Sequence, residues 1–259
     1  MWLHLPREGS EVSWLRDRLQ GAQEKLRILK QSGRLGALIP DASERNQLLR
    51  RIQAVSQNVE CPHFESEMLT IGVEILSLPE SVKGCVVEAG CFKGGSTAKL
   101  SLFVERAGRE LVAFDSFEGL PENDEVHERS ILGHSIDGWF DQGKFCGRLE
   151  EVEANVRRYG QFEVCRFVRG WFEQTMPVFR EPIALAFLDV DLAQSTRTCL
   201  KKLWPILSPG GVLYSQDGDF PLVIDVLADS TFWEKEVGCA RPEIEGLGKR
   251  KLLRIEKPV

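Results

Sequence analysis

The chain lacks the features that would place it in a membrane, in an oxidising compartment or on nucleic acid. No apolar run approaches the roughly 20 residues needed to cross a bilayer. The opening stretch, MWLHLPREGSEV, has neither a basic n-region nor a long apolar centre, so no leader is read there and a cytoplasmic protein is expected. Positive charge is not in excess either. With 33 Lys and Arg against 39 Asp and Glu, the net charge of −6 argues against a nucleic-acid or anionic-membrane partner. The basic cluster Lys249-Arg250-Lys251 abuts Leu252-Leu253 and reads as part of a terminal strand. Seven cysteines make an odd count with no C-x-x-C pair, which points to free thiols in a reducing compartment. There is no internal repeat or low-complexity segment. At 259 residues the chain suffices for one large core with a small appendage.

What is present is organised around residues 84–120. Val86 and Val87 form a short apolar run ending in Glu88-Ala89-Gly90, and Gly94-Gly95-Ser96-Thr97 opens a helical stretch, Leu100 to Arg106. A second apolar run, Leu111 to Phe114, closes on Asp115. This strand–turn–helix–strand–acid order is the start of a parallel nucleotide-binding α/β domain. Asp115 is placed to accept both hydroxyls of a ribose.

Spacing selects among cofactors. The third glycine of the nicotinamide fingerprint G-x-G-x-x-G is missing: the turn reads Gly90-Cys91-Phe92-Lys93-Gly94-Gly95, with Glu88 before it. A carboxylate there repels a pyrophosphate but suits an ammonium group. S-adenosylmethionine carries an amino acid tail and a ribose and has no phosphate.

Before this unit, Val12, Leu15, Leu19, Ala22, Leu26 and Leu29 trace a narrow apolar stripe, with Ser10 or Ser13 as N-cap and Gly33 as terminator. The stripe suits either packing on the chain's own domain or a dimer contact. A second helix is expected after Pro40 and a third from Cys61-Pro62 to about Leu78. After the unit comes an acidic segment containing Glu118, Glu122, Asp124, Glu125, Glu128 and Asp137, with His127 and His134. It reads equally as a solvated loop or a lid, and its charge favours a cationic or amino-sugar acceptor. Later strands are expected at Glu163 to Val168, Ile183 to Leu188 and Val212 to Tyr214. Phe232 to Val237 and Lys251 to Ile255 read as a closing antiparallel pair. Strand ends thus present Glu88, Asp115, Asp189 and Asp217 along the edge where open parallel sheets bind ligands.

The stretches EAGCFKGGS (88–96), FDSFEGLP (114–121), RGWFEQTMP (169–177), LDVDLAQST (188–196) and LWPILSPGGVL (203–213) resemble the macrocin O-methyltransferase family, over roughly residues 84–217. The resemblance implies a class I methyltransferase (Rossmann-like) α/β fold. Its mostly parallel seven-stranded sheet would have helices on both faces, a helical extension over 1–80 and a lid-like insertion around 118–160. It implies O-methylation of a sugar or glycosylated natural product, with S-adenosylmethionine and a divalent ion, usually magnesium. Glu88, Gly90 and Ser96 would then surround the methionine end of the cofactor, Asp115 would hold the ribose and the Gly170-Trp171 turn would border the adenine, with Cys91, Phe92, Lys93, Ser116 and Asp189 also binding the cofactor. The metal would fall to Asp189, Gln216 and Asp217. The family usually has two adjacent acids where this chain has Gln216-Asp217, and tyrosines where it has Ala193 and Gly218; Asp219 or Asp191 could compensate.

Without a metal, Asp189 or a histidine of the acidic segment, His134 or His127, would serve as base. Two other readings stay open: a cofactor-binding scaffold acting through its N-terminal helix, and a nicotinamide oxidoreductase, for which no Tyr-Lys or His pair is evident.

Overall fold

The computed structural model describes residues 11–259, with side chains from residue 21 onward. Three helices come first: α1 (Glu11–Leu38), α2 (Ala42–Asn58) and α3 (Glu65–Ser77). They lead into β1 (Cys85–Ala89), α4 (Gly95–Arg106) and β2 (Leu111–Asp115). After an irregular segment come α5 (Leu149–Tyr159), β3 (Cys165–Arg169), α6 (Phe172–Thr175), β4 (Ile183–Leu188) and α7 (Ala193–Leu203). The chain closes with β5 (Leu207–Ser215), α8 (Pro221–Ala228), β6 (Ile244–Glu245) and β7 (Leu253–Glu256).

The strands form one seven-stranded sheet in the order β3-β2-β1-β4-β5-β7-β6. Neighbours from β3 to β5 are parallel, and β7 is antiparallel to both β5 and β6. Every residue of β1 and β4 is buried because helices cover both faces. Alternation then sorts the side chains. Val87, Val112 and Leu188 pack with Leu200, Leu203 and Val223 on one face. Val86, Leu111 and Phe187 pack with Leu48, Ile52, Met68 and Phe103 on the other. The helices before residue 81 therefore share the sheet's core, and residue 80 marks a change of secondary structure rather than a break in packing. No helix among the described residues is long and apolar enough to cross a membrane.

Three elements depart from the sequence reading. Gly33 does not end the first helix, which continues to Leu38. One glycine costs about 1 kcal/mol in a helix, less than the burial of Leu35 and Ile39 just beyond it returns. The buried face of α1 is also not the stripe. Ile28, Gln31 and Leu35 turn inward, whereas Leu26 and Leu29 are each 67% exposed. Ser10 and the side chains of Val12, Ser13, Leu15 and Leu19 lie outside the described residues.

The second departure concerns 232–237, which is helical rather than a strand. Asp229 Oδ1 accepts from the Thr231 and Phe232 amides, and Phe232, Trp233 and Val237 bury one helical face. Ile244–Glu245 takes the place beside β7 instead. β5 also begins earlier than the expected Val212, at Leu207, and takes in Pro209-Gly210-Gly211.

Candidate active site

The strand order reverses between β1 and β4, and a cavity of about 360 Å³ opens at their carboxyl ends. Gly90 follows β1 at φ +88°, and a Cβ there would lie 1.9 Å from the Asp189 carbonyl oxygen. Only glycine lets the two strand ends close in this way. Asp115, ending β2, accepts from the Cys91 amide through Oδ2 at 2.6 Å and from the Phe117 amide through Oδ1 at 2.7 Å. It thereby pins the glycine turn while facing the cavity. Burial raises its pKa above the ordinary carboxylate value, against the pull of these amides.

Glu88 is fully buried at the end of β1, and neither carboxylate oxygen has a hydrogen bond of standard geometry. Burial pushes its pKa up to about 7, although the neighbouring Ser96 and Thr97 hydroxyls oppose the shift. An orphaned carboxyl of this kind calls for a cation. It suits a ligand bearing an ammonium group, so the residues present fit S-adenosylmethionine.

The acceptor side is built around Asp189, Asp191 and Asp217, each with a carboxylate oxygen within 4.8 Å of the others. Asp217 Oδ2 accepts from the Val190 and Asp191 amides at 3.1 and 3.2 Å, which fixes the turn after β4. Asp191 adopts a left-handed conformation at φ +61°, strain that a non-glycine residue holds only where its surroundings impose it. Burial and the charge of Asp189 raise Asp191 to about 8 and push Asp217 up as well. Asp189 behaves otherwise. Burial would raise it, but His63 Nε2 sits 2.8 Å from Oδ2 and holds it below the ordinary value. Lys251, just before β7, also lines the cavity, and its positive charge acts on all three. Three converging carboxylates, two of them short of positive charge, fit a hard, oxygen-liganded dication.

Of the residues expected around the cofactor, Gly90, Phe92, Asp115, Ser116, Gly170, Trp171 and Asp189 line the cavity. Glu88, Cys91 and Ser96 are buried outside its lining, Cys91 serving Asp115 through its amide. Lys93 points elsewhere, with Nζ 2.6 Å from Glu60 Oε2. Asp217 joins the acid cluster, whereas the Gln216 amide nitrogen donates to Glu67 Oε2 at 2.8 Å. His134 is exposed and outside the lining, so the structure does not bring it to the site. His127 is buried against Phe140, with Nε2 3.0 Å from Glu125 Oε2.

The acidic segment is more than a solvated loop. Glu125 accepts from the Ala193 and Gln194 amides at the start of α7, and Trp139, Phe140 and Phe145 form one wall of the cavity. Sequence reasoning missed His63, whose role depends on a contact spanning 126 positions, and Lys251, read as part of a strand.

A mostly parallel sheet with this strand order and an acid ending β2 defines the class I methyltransferase fold. The profile of the macrocin O-methyltransferase family (TylF) matches residues 72–228, and the chain belongs to that family. The 8-demethyl-8-(2,3-dimethoxy-alpha-L-rhamnosyl)-tetracenomycin-C 4'-O-methyltransferase of Streptomyces olivaceus is 33% identical over 181 residues, 66% of each chain. The mycinamicin III 3''-O-methyltransferase of Micromonospora griseorubida is 29% identical over 153 residues, 56% of this chain and 59% of that protein. The chain thus spans somewhat less than two thirds of the length of these curated relatives.

Among solved structures, the O-methyltransferase NovP superposes with a TM-score of 0.56 at 24% identity, covering 82% of this chain and 80% of that one. Calicheamicin methyltransferase CalS11 gives 0.52 at 20% identity, covering 83% and 93%.

Proposed function

We propose that this chain is an S-adenosylmethionine-dependent O-methyltransferase acting on a hydroxyl of a sugar or glycosylated natural product. The observation that carries the reading is the combination of an orphaned buried carboxyl, Glu88 in β1, with the cavity-facing Asp115 at the end of the adjacent parallel strand β2. Glu88 would receive the ammonium of the methionine end, with Gly90 and Ser96 beside it. Asp115 and Ser116 would hold the ribose, and Gly170 and Trp171 would border the adenine. The relatives that methylate glycosides support the choice of acceptor.

S-adenosylmethionine supplies an electrophilic methyl group when bound. The chain has to hold the acceptor oxygen in line with it, a form of positioning worth roughly 7–11 kcal/mol. Without a metal, Asp191, whose carboxyl burial and the charge of Asp189 raise to about 8, is the proposed base, and Asp189 orients the acceptor. Asp189, Asp191 and Asp217, with the amide oxygen of Gln216, would hold magnesium, which would supply Lewis-acid polarisation of the hydroxyl. The aromatic wall from 139–145 would act as the lid that excludes water. The exposed Leu26 and Leu29 on α1 support a homodimer contact there, and seven free cysteines support a cytoplasmic protein.

The test is a calorimetric titration of S-adenosylhomocysteine into EDTA-treated protein, repeated with magnesium. Asp115→Ala serves as control, followed by labelled methyl transfer to a panel of glycosides and their aglycones. Micromolar binding lost in the control and label on glycosides alone are the expected results. Absence of binding in both conditions removes the reading. Binding without transfer to any hydroxyl leaves a scaffold.

A further inference from the structure

Behind the acceptor site lies a chain of side chains that the proposed reaction does not use. His63 Nε2 contacts Asp189, and its Nδ1 lies 3.2 Å from Cys61 Sγ. On the other side of that sulfur, Lys99 Nζ approaches to 3.6 Å. Lys99 comes from α4 and is 1% exposed. Among the described residues, Cys61 Sγ is its only hydrogen-bond partner and no carboxylate comes within salt-bridge distance of it, Glu65 on α3 acting on it from farther off.

A buried ammonium has to be compensated by negative charge close at hand. A neutral thiol is a poor partner for it, and a thiolate is a good one. Cys61 also packs on the first turn of α4: a Cβ at Gly95 would lie 3.2 Å from the sulfur. The helix N-terminus adds its partial positive charge there. The thiol sits in the loop between α2 and α3, half-buried, with Glu60 and Pro62 exposed on either side.

We propose that Cys61 is a site of covalent modification: a thiolate held between His63 and Lys99 that reacts with hydroperoxides, loosening the hold of His63 on Asp189. The sulfur attacks the terminal oxygen of the hydroperoxide. An S–O bond forms as the O–O bond breaks, the sulfur gives up two electrons, and the departing oxygen takes a proton from solvent. The products are a sulfenic acid at Cys61 and water or an alcohol. The added oxygen enters the space between the imidazole, the ammonium and the first turn of α4, beside the proposed cofactor residue Ser96.

The charges around Cys61 agree. Burial works against its ionisation, but His63 and Lys99 outweigh it and bring the thiol to about 7. Burial instead raises Cys85 and Cys165 to about 12. The other titratable groups of this neighbourhood are Glu60, paired with Lys93, Glu65 on α3, and Glu88 and Asp189 at the strand ends.

Cys146, which is exposed, provides an internal reference. The native chain at pH 6.5 is treated with iodoacetamide, and alkylation of each cysteine is timed by peptide mass. Cys61 is expected to react several-fold faster than Cys146 despite its lower exposure. Lys99→Met should slow Cys61 at least tenfold and leave Cys146 unchanged. If that variant does not fold, the wild-type chain decides: hydrogen peroxide followed by dimedone should tag Cys61 and not Cys146.

Cys146 reacting first, or Cys61 reacting only at the rate of global unfolding, overturns the proposal. Peroxide should also weaken S-adenosylhomocysteine binding at least tenfold in the wild type and not in Cys61→Ser; equal weakening in both overturns the link to Asp189. If untreated protein binds no S-adenosylhomocysteine, the methyltransferase reading fails, while the labelling results still decide the state of Cys61.

Discussion

Gln216 and Glu67 are joined by one hydrogen bond: the Gln216 Nε2 donates to Glu67 Oε2 at 2.8 Å, and that same oxygen accepts from the Phe64 amide at 2.9 Å. Both side chains are buried. The pair gives a local reason for a neutral residue where the family usually carries an acid, since a carboxylate at 216 would face the carboxylate of Glu67.

Gln216→Glu should therefore destabilise the protein at pH 7.5. Loss of the donor and creation of a like-charge contact together cost about 1–3 kcal/mol. Urea unfolding measures it. Adding Glu67→Gln should recover most of the loss, because the double variant restores a donor–acceptor pair with the roles exchanged. Additive losses in the double variant would show that the two residues do not act as a pair.

Glu88 makes stability and cofactor binding depend on pH in opposite directions. Its folded pKa, about 7, lies above the ordinary 4.5. The ligand-free protein therefore holds its full contribution from this group below pH 4.5 and loses it as pH rises through about 7. At 1.36 kcal/mol per pKa unit the loss is roughly 3 kcal/mol. The wild type should fall behind Glu88→Gln in melting temperature between pH 5 and 7.5. Over the same range its affinity for S-adenosylhomocysteine should rise and level off above pH 7, as ionised Glu88 becomes available to the ammonium. Parallel pH profiles for the two proteins would refute the assignment.

Much of this was legible in the sequence because the information was local. VVEA, LVAFD and IALAFLD are short, mostly apolar runs carrying an acid at or next to their last residue, and each became a parallel strand with that acid in its last two residues or just past its end. The glycine turn was legible for the same reason. What escaped was set by packing between distant residues. His63 reaches Asp189 only because α2 and α3 lie against the sheet, and nothing in Cys61-Pro62-His63 announces that contact. Phe232 to Val237 carries apolar residues that serve a strand or a helix equally, and the Asp229 cap decided for the helix. Gln216 was visible as a departure, but its partner, 149 positions away, was not.

Gly90→Ala should be among the most damaging single-methyl changes in the chain. The φ of +88° alone costs an alanine about 1–3 kcal/mol. The added Cβ would also overlap the Asp189 carbonyl oxygen, so β1 and β4 must part just where the cavity opens. Reduced soluble yield and a loss of melting temperature larger than that of Gly108→Ala are expected. Gly108 also has positive φ, +62°, but no atom lies within 4 Å of its added Cβ. Equal losses would mean that conformation, and not the approach of the strands, sets the requirement.

Asp115 and Glu88 should be separable by the part of the cofactor each one reads. Asp115→Asn replaces one acceptor oxygen with an amide that must face either the Cys91 or the Phe117 N–H, at the positions now held at 2.6 and 2.7 Å. A hydrogen bond to a charged group is worth about 1.5–3 kcal/mol, so the glycine turn loosens and ribose recognition weakens by roughly tenfold or more. Glu88→Gln removes a charge that only the amino acid end would need. Calorimetry with adenosine and with S-adenosylhomocysteine resolves the two. Asp115→Asn should weaken both ligands by a similar factor, whereas Glu88→Gln should weaken S-adenosylhomocysteine and leave adenosine unchanged. If Glu88→Gln weakens adenosine equally, Glu88 acts by shaping the turn and the ammonium must be received elsewhere.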